Sequence, residues 1–409
     1  MDCYPRMQAQ STVTSPRIKP DQFESPDFYQ LDDLLTPEQK LVRSAMRDFV
    51  KREITPIIDD HAQRAEFPEG ILAKFGQIGA FGTTLPVEYG GGGLDQISYG
   101  LMMQEIERGD SAMRSTVSVQ SSLVMYPIYA FGSDEQKAKY LPKLAKGELV
   151  GCFGLTEANH GSNPGGMETA FIERSDYFLL NGSKLWITNA PIADVAVVWA
   201  KNEQGKIRGL IVERGMEGFS TNEIERKWSL RASRTGELTF TDVKVPKGNL
   251  LPEAAGLKAP LQCLDQARYG IAWGAVGAAM DCYEAARKYT LERIQFDKPI
   301  ASFQLVQKKL AEMLTDITKA QLLCWRLGML KNAGTATTAQ ISLAKRDNVD
   351  MALRVARTCR QLLGGMGITG DYPIMRHMMN LESVVTYEGT HDIHLLILGA
   401  EITGISAFK

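Results

Sequence analysis

The hydrophobic rhythm of this chain changes twice. From about residue 26 to 150 apolar residues recur at helical spacing, from 151 to 258 they fall in short β-rich runs, and from 259 to 409 the helical spacing returns. That order rules out the regular strand–helix alternation of a doubly wound sheet and puts one β unit between two helical ones. The first firm element opens at Thr36-Pro37-Glu38-Gln39, which supplies an N-cap, a proline at the first helical position and a capping-box glutamine. Leu41, Val42, Ala45, Met46, Phe49 and Val50 then mark one helical face. Gly90-Gly91-Gly92-Gly93 predicts a flexible or sharply turning loop, without the Lys-Ser/Thr of a phosphate-binding loop.

In the β unit, Tyr177 to Leu180, Asn181-Gly182 and Lys184 to Ile187 predict a hairpin on a type I′ turn. Asp194 to Ala200, Ile207 to Val212 and Leu238 to Val245 add strands before Pro246, and the unit reads as antiparallel. Long helices are predicted near 261–294, 303–332, 337–363 and 391–405. Residues 1–25 read as a loosely ordered arm.

Composition excludes several classes of function. A net charge of −2 with no dense Lys/Arg run argues against nucleic acid, and no apolar stretch reaches membrane-spanning length. Six scattered cysteines without a CxxC pair argue against a disulfide framework or zinc and fit a reducing compartment. The first residues lack an apolar signal region, so the expected location is a bacterial cytoplasm, or the mitochondrial matrix if the source is eukaryotic.

Two motifs mislead by spelling. Gly365-Met366-Gly367-Ile368-Thr369-Gly370 matches GxGxxG, but it follows a helical pattern instead of a strand, which argues against a dinucleotide fold. His391 and His394 lack further ligands at matching spacing, so no metal site is expected. Glu388, in Thr386-Tyr387-Glu388-Gly389-Thr390-His391-Asp392, has two readings. It suits proton abstraction beside a carbonyl, but these residues alone favour a loop carboxylate with Thr390 or Asp392 capping the next helix.

Five segments together resemble the acyl-CoA dehydrogenase family, over nearly the whole chain from about residue 30. They are Cys152 to Glu157, Trp186 to Asn189, Glu292 to Phe296, Gln361 to Gly365 and Tyr387 to Thr390. The resemblance implies an N-terminal helical domain, a central antiparallel β-barrel-like domain and a C-terminal four-helix bundle in a homotetramer. It implies FAD, with the Phe153, Leu155 and Thr156 segment, Ser162, and Trp186, Ile187 and Thr188 near the flavin ring. Arg293, Phe296, Gln304, Gln361, Leu362, Gly364 and Gly365, with Thr390 and Asp392, fall at further cofactor positions. Glu388 becomes the base that takes the α-proton of an acyl-CoA thioester while the β-hydrogen leaves as hydride. The acceptor of the electrons is expected to be an electron-transferring flavoprotein.

Substrate choice turns on Arg114. An arginine in a segment that otherwise reads as a buried helix is costly unless it meets an anion. That anion could be Glu107, two turns earlier on the same predicted helix, a substrate carboxylate, or both. Ser229 to Ser233, Ala267 to Gly274 and the tail Gly404 to Phe408 resemble the branch of the family that oxidises and decarboxylates glutaryl-CoA. By that resemblance Arg114 and Ser115 would bind the distal carboxylate, Ser162 and the segment from Leu261 to Arg268 the CoA portion, and Gly389 the thioester end, while Tyr387, also at the substrate, fits the decarboxylating form. Alternatives are a short-chain monocarboxylic dehydrogenase or oxidase, and a non-catalytic acyl-CoA-binding protein. The chain departs from the family at Ala158, Asn163 and Asp297, where Pro, Asp and Gly are usual.

Overall fold

The capping signal at Thr36 is made in full: Gln39 N–H donates to Thr36 Oγ1 at 3.2 Å and Thr36 N–H to Gln39 Oε1 at 3.0 Å. The computed structural model describes residues 27–408, so the predicted arm at 1–25 lies outside the described residues. The cap opens α1 (Pro37–Phe49), followed by α2 (Thr55–Arg64), α3 (Ile71–Gln77), α4 (Gln96–Gly109), α5 (Ser111–Ser118), α6 (Tyr126–Phe131) and α7 (Asp134–Ala145). The glycine run turns sharply and is packed. A Cβ at Gly91 or Gly92 would collide with the main chain of Leu85 or Thr83.

Seven strands follow: β1 (Gly151–Gly154), β2 (Ala170–Glu173), β3 (Tyr177–Thr188), β4 (Val195–Lys201), β5 (Ile207–Glu213), β6 (Phe219–Glu223) and β7 (Thr235–Pro246). They form one sheet in the order β1-β4-β2-β3-β7-β6, with β5 on β4. The sheet is mixed, because β1 and β2 pair parallel with β4 while the other pairs are antiparallel. Phe171, Phe178, Leu180, Val198, Leu210, Leu238 and Phe240 gather into a core of its own.

The hairpin expected at Asn181-Gly182 is not there. Tyr177–Thr188 is one continuous strand, and these two residues sit at a register shift opposite β7. Asp242 takes a left-handed φ of 51° and exchanges hydrogen bonds with the Asn181 side chain, N–H to Oδ1 at 2.8 Å and Nδ2 to Oδ1 at 2.9 Å. Gly182 is required because a Cβ there would lie 2.7 Å from the Thr169 Cα. A hairpin of the type I′ kind does exist, at Phe296-Asp297 (φ 53° and 63°), between β8 (Ile294–Gln295) and β9 (Lys298–Pro299). Asp297, where the family has glycine, therefore occupies a left-handed position that aspartate tolerates.

The remaining helices are α8 (Lys258–Glu292), α9 (Gln304–Asn332), α10 (Thr338–Leu362), α11 (Ile374–Thr386) and α12 (His391–Thr403). The four long ones match the sequence expectation. Helix α11 was not anticipated, because its buried stripe includes Arg376, His377 and Asn380, which hide the apolar period. Those polar residues tie it down. Arg376 donates to Asp59 Oδ1 at 2.6 Å, Asp110 Oδ2 at 2.7 Å and Gly109 O at 2.8 Å, and Asn380 to Asp110 Oδ2 at 2.8 Å. Helix α8 packs between α4 and α10 and so joins the two helical units. Among the described residues no helix is long and apolar enough to cross a membrane.

One buried ion pair braces the sheet. Lys184 is fully buried and donates to Glu157 Oε1 at 2.8 Å and to Leu155 O at 3.1 Å. Burial alone would raise the Glu157 pKa, but the Glu168 N–H, Lys184 and Thr169 bring it down to about 2. Its contribution is therefore present above the ordinary carboxylate pKa and is lost as pH falls toward 2. Glu157→Ala is expected to cost about 3–5 kcal/mol in urea unfolding, and Glu157→Leu with Lys184→Met to recover only part of it, because the Glu168 and Thr169 N–H groups still lose their acceptor. A single variant as stable as the parent would refute this account of the pair.

Candidate active site

Glu388 lies on the four-residue turn, Tyr387 to Thr390, that joins α11 to α12. The turn is constrained from both ends. Tyr387 N–H closes α11 on Ser383 O at 2.9 Å, and Thr390 Oγ1 caps α12 by accepting Ile393 N–H at 3.3 Å. Between them Glu388 has φ 52° and Gly389 φ 94°. A side chain at Gly389 would stand 2.9 Å from His394 Nε2 and 3.3 Å from Arg268 Nη2, so only glycine fits. Glu388 is thus a residue with a Cβ held in a left-handed conformation, a strain that clusters at functional sites.

The carboxylate is partly buried, and its Oε2 has no hydrogen-bond partner among the described residues. Burial raises the Glu388 pKa, opposed by Arg114, Lys345 and Arg268 and helped by Glu107. A carboxylate with a raised pKa and a free oxygen suits proton abstraction.

Arg114 belongs to the same site. Helix α4 ends at Gly109, Asp110 is extended and caps α5 through Ala112 N–H at 2.7 Å, and Arg114 follows on α5. Glu107 and Arg114 therefore sit on two helices and not on one continuous helix, as the sequence had suggested; the break comes from the cap at Asp110. Arg114 Nε donates to Glu107 Oε2 at 2.6 Å, and its Nη2 to the Tyr387 hydroxyl. The guanidinium carbon lies 5.7 Å from the Tyr387 ring centroid. Arg114 Nη1 and Glu107 Oε1 are buried and have no partner among the described residues. Gly274 on α8 makes room for the pair, since a Cβ there would press on both the Glu107 carboxylate and Arg114 Nε.

Next to Arg114, Ser115 is buried, and the chain continues as a π-helical stretch, Val119–Met125. Ser122 Oγ lies 2.9 Å from the Tyr99 hydroxyl. Arg268, expected on the CoA portion, donates from Nε to Glu388 O at 2.8 Å and from Nη1 to Asp265 Oδ1 at 3.1 Å. Leu261 lies half-buried on the same helix, α8, and Ser162 is exposed on the loop after β1.

Sequence reasoning missed Lys345, which is fully buried beside the turn, as is His394, singled out in the sequence only to be set aside as a metal ligand. Lys345 left a legible signal. It shares the buried stripe of α10 with Ile341, Ala344, Asn348, Val349 and Ala352, where a lysine is out of place.

The expected cofactor positions form two groups. In the sheet, a register shift at Trp186 (φ 63°, 59% exposed) turns its ring outward, while Ile187 stays buried. Leu185 N–H donates to Thr156 O at 2.9 Å, which sets half-buried Thr156 on the neighbouring segment; Thr188 is half-buried too, while Phe153 and Leu155 are buried. In the helices, Arg293, Phe296 and Gln304 are exposed around β8, β9 and the start of α9. Gln361, at the end of α10, accepts a bond from Lys309 of α9 at 3.0 Å. Leu362 is buried, but Gly364 and Gly365 offer bare backbone, since a Cβ at either would meet nothing within 4 Å. An outward indole suits stacking on a flat ring, and an exposed guanidinium and open backbone each suit an anionic group. Asp392 is exposed, and the Thr390 hydroxyl is engaged by its cap.

Comparison with known proteins agrees with this architecture. The acyl-CoA dehydrogenase N-terminal, middle and C-terminal domain models match residues 36–148, 152–243 and 254–403. A short-chain specific acyl-CoA dehydrogenase of Clostridium acetobutylicum is 37% identical over 91% of this chain and 100% of its own length. The crystal structure of glutaryl-CoA dehydrogenase from Mycobacterium smegmatis is 48% identical, with a TM-score of 0.91 over 93% of this chain and 98% of that one. A structure from the same organism in complex with FADH2 is 47% identical with a TM-score of 0.92, covering 93% of this chain and 98% of that one. The chain belongs to the acyl-CoA dehydrogenase family, whose cofactor is FAD.

Proposed function

We propose that this enzyme oxidises glutaryl-CoA and releases CO2, leaving crotonyl-CoA. The observation that carries the reading is Arg114. Its guanidinium is held by Glu107 and Tyr387, yet Nη1 remains buried without an acceptor. A second carboxylate at the far end of an acyl chain supplies that acceptor, and a guanidinium fork suits it.

Glu388 takes the α-proton; burial raises its pKa, which makes it a stronger base. Bound FAD, held by the Thr156, Trp186 and Thr188 segments and by Arg293, Gln304 and Gln361 to Gly365, supplies the hydride acceptor for the β-hydrogen. In this reading the Glu388 N–H meets the thioester oxygen as it gains charge. Loss of CO2 from the distal carboxylate leaves a dienolate, and Glu388, now protonated, returns the proton. Ser162 and Leu261 lie toward the CoA portion in this reading. An electron-transferring flavoprotein then takes the electrons.

A homotetramer fits the surface. Leu395, Ile402 and Ile405 on and just after α12, with Leu305 on α9, are large apolar residues exposed in a single chain.

A monocarboxylic short-chain substrate is the second reading, favoured by the likeness to the Clostridium acetobutylicum enzyme. Anaerobic addition of glutaryl-CoA to the flavin-loaded protein decides between them. The expected result is flavin bleaching with stoichiometric CO2. Bleaching without CO2 gives a non-decarboxylating enzyme, and bleaching only by butyryl-CoA gives the second reading. No bleaching by any acyl-CoA removes the enzyme assignment, and rapid reoxidation in air marks an oxidase.

A further inference from the structure

Three successive main-chain carbonyls around Glu388 are each held by a buried cation. Lys345, fully buried on α10, donates from Nζ to Tyr387 O at 3.0 Å and to Gly389 O at 2.9 Å. Arg268 on α8 donates to the carbonyl between them, Glu388 O, at 2.8 Å. A lysine in the interior is costly to desolvate, and among the described residues no carboxylate lies within ion-pair distance of this one. Its two recorded hydrogen bonds both go to the turn that carries the base.

The turn needs such a grip. Glu388 at φ 52° occupies a region that residues with a Cβ avoid, and Gly389 beside it has φ 94°. The peptide joining Tyr387 to Glu388 is trans, so its N–H points opposite to its C=O. Drawing Tyr387 O toward Lys345 therefore turns the Glu388 N–H away from Lys345.

We propose that Lys345 is the positioning residue of this active site: by bridging the carbonyls on either side of Glu388, it holds the base in its left-handed turn and aims the Glu388 N–H at the thioester. The proposal rests on the assignment of Glu388 as the α-proton base.

The same lysine shapes the charge around the base. Burial brings the Lys345 pKa down to about 7, with Glu388 opposing the fall and Arg268 and Arg114 adding to it. The groups that face it are Glu388 on the turn, Arg268 on α8, Arg114 on α5, and His391 and His394 on α12, while Glu107 on α4 and the Tyr387 hydroxyl are bonded to Arg114. His394 is kept neutral, its pKa brought to about 3 by burial and then by Lys345 and Arg268. A neutral amine still has two N–H groups, enough for both carbonyls, so the grip outlasts the charge.

The test compares flavin-loaded Lys345→Met and Lys345→Gln with Glu388→Gln, by anaerobic flavin bleaching at saturating acyl-CoA. Lys345→Met is expected to slow bleaching about 10²-fold, as a displaced catalytic group does, with half-saturation nearly unchanged. Loss of the cation raises the pKa of Glu388, so the acid limb of the rate moves to higher pH in both variants. Lys345→Gln, which keeps two N–H donors, recovers most of the rate but keeps the pH shift. A Met variant that binds flavin and bleaches within about twofold of the parent overturns the proposal, as does a Gln variant no faster than Met. If the Met variant fails to fold, the Gln variant decides, and an unmoved acid limb there is fatal. A fast Lys345→Met beside an inert Glu388→Gln sinks this proposal alone, whereas a fast Glu388→Gln sinks the base assignment beneath it.

Discussion

Glu388→Gln is expected to slow flavin bleaching by roughly 10²- to 10⁴-fold while leaving the fold and the flavin in place. The amide cannot take a proton, yet it occupies the same volume. The fold should survive because Glu388 Oε2 makes no protein hydrogen bond that the change would break, and the turn is held through main-chain carbonyls by Lys345 and Arg268. The parent should also show an acid limb. Burial raises the Glu388 pKa, so the fraction of ionised base, and with it the rate, rises as pH climbs through that value. Stopped-flow absorbance at the flavin band across pH measures both effects. An amide variant with parental rate, or a rate flat in pH below neutrality, removes Glu388 from the chemistry.

Arg114→Ala should lower kcat/KM for glutaryl-CoA by about 10²-fold or more, and for butyryl-CoA far less. The size follows from what Arg114 does. A distal carboxylate drawn into this interior without its guanidinium would be a buried, unpaired charge. The substitution also strands Glu107, which is itself fully buried, so stability should fall by about 3–5 kcal/mol. The paired change Glu107→Gln with Arg114→Met separates the two effects: it is expected to restore the urea midpoint without restoring glutaryl-CoA turnover. Equal losses on both substrates in that double variant would count against a carboxylate-binding role.

Much of this was legible in residue types and spacing. The capping box at Thr36, the four long C-terminal helices and the β-rich middle follow from local chemistry that needs no partner. Asn181-Gly182 misled because the pair that makes a tight turn also makes a bulge, and only the register against β7 decides between them. The parallel pairing of β1 and β2 with β4 depends on chain connections that an alternating pattern does not encode. In the site, Arg114 was visible as a charge in unusual company, whereas Glu388 read alone as a loop carboxylate and stood out only through the five segments taken together. The break at Asp110 was hidden because Glu107 and Arg114 also fit the spacing of one unbroken helix. The grip of Lys345 and Arg268 on the base was hidden because main-chain carbonyls carry no letter.

Gly274 lies on α8, and its lack of a side chain leaves the space in which the Glu107 carboxylate and the Arg114 guanidinium meet. A chain with any bulkier letter at that place has no room for the pair in this geometry, whatever its pocket residues are. Building the Glu107–Arg114 pair into a relative with alanine at that place should therefore begin with the removal of that methyl group, before the arginine is introduced.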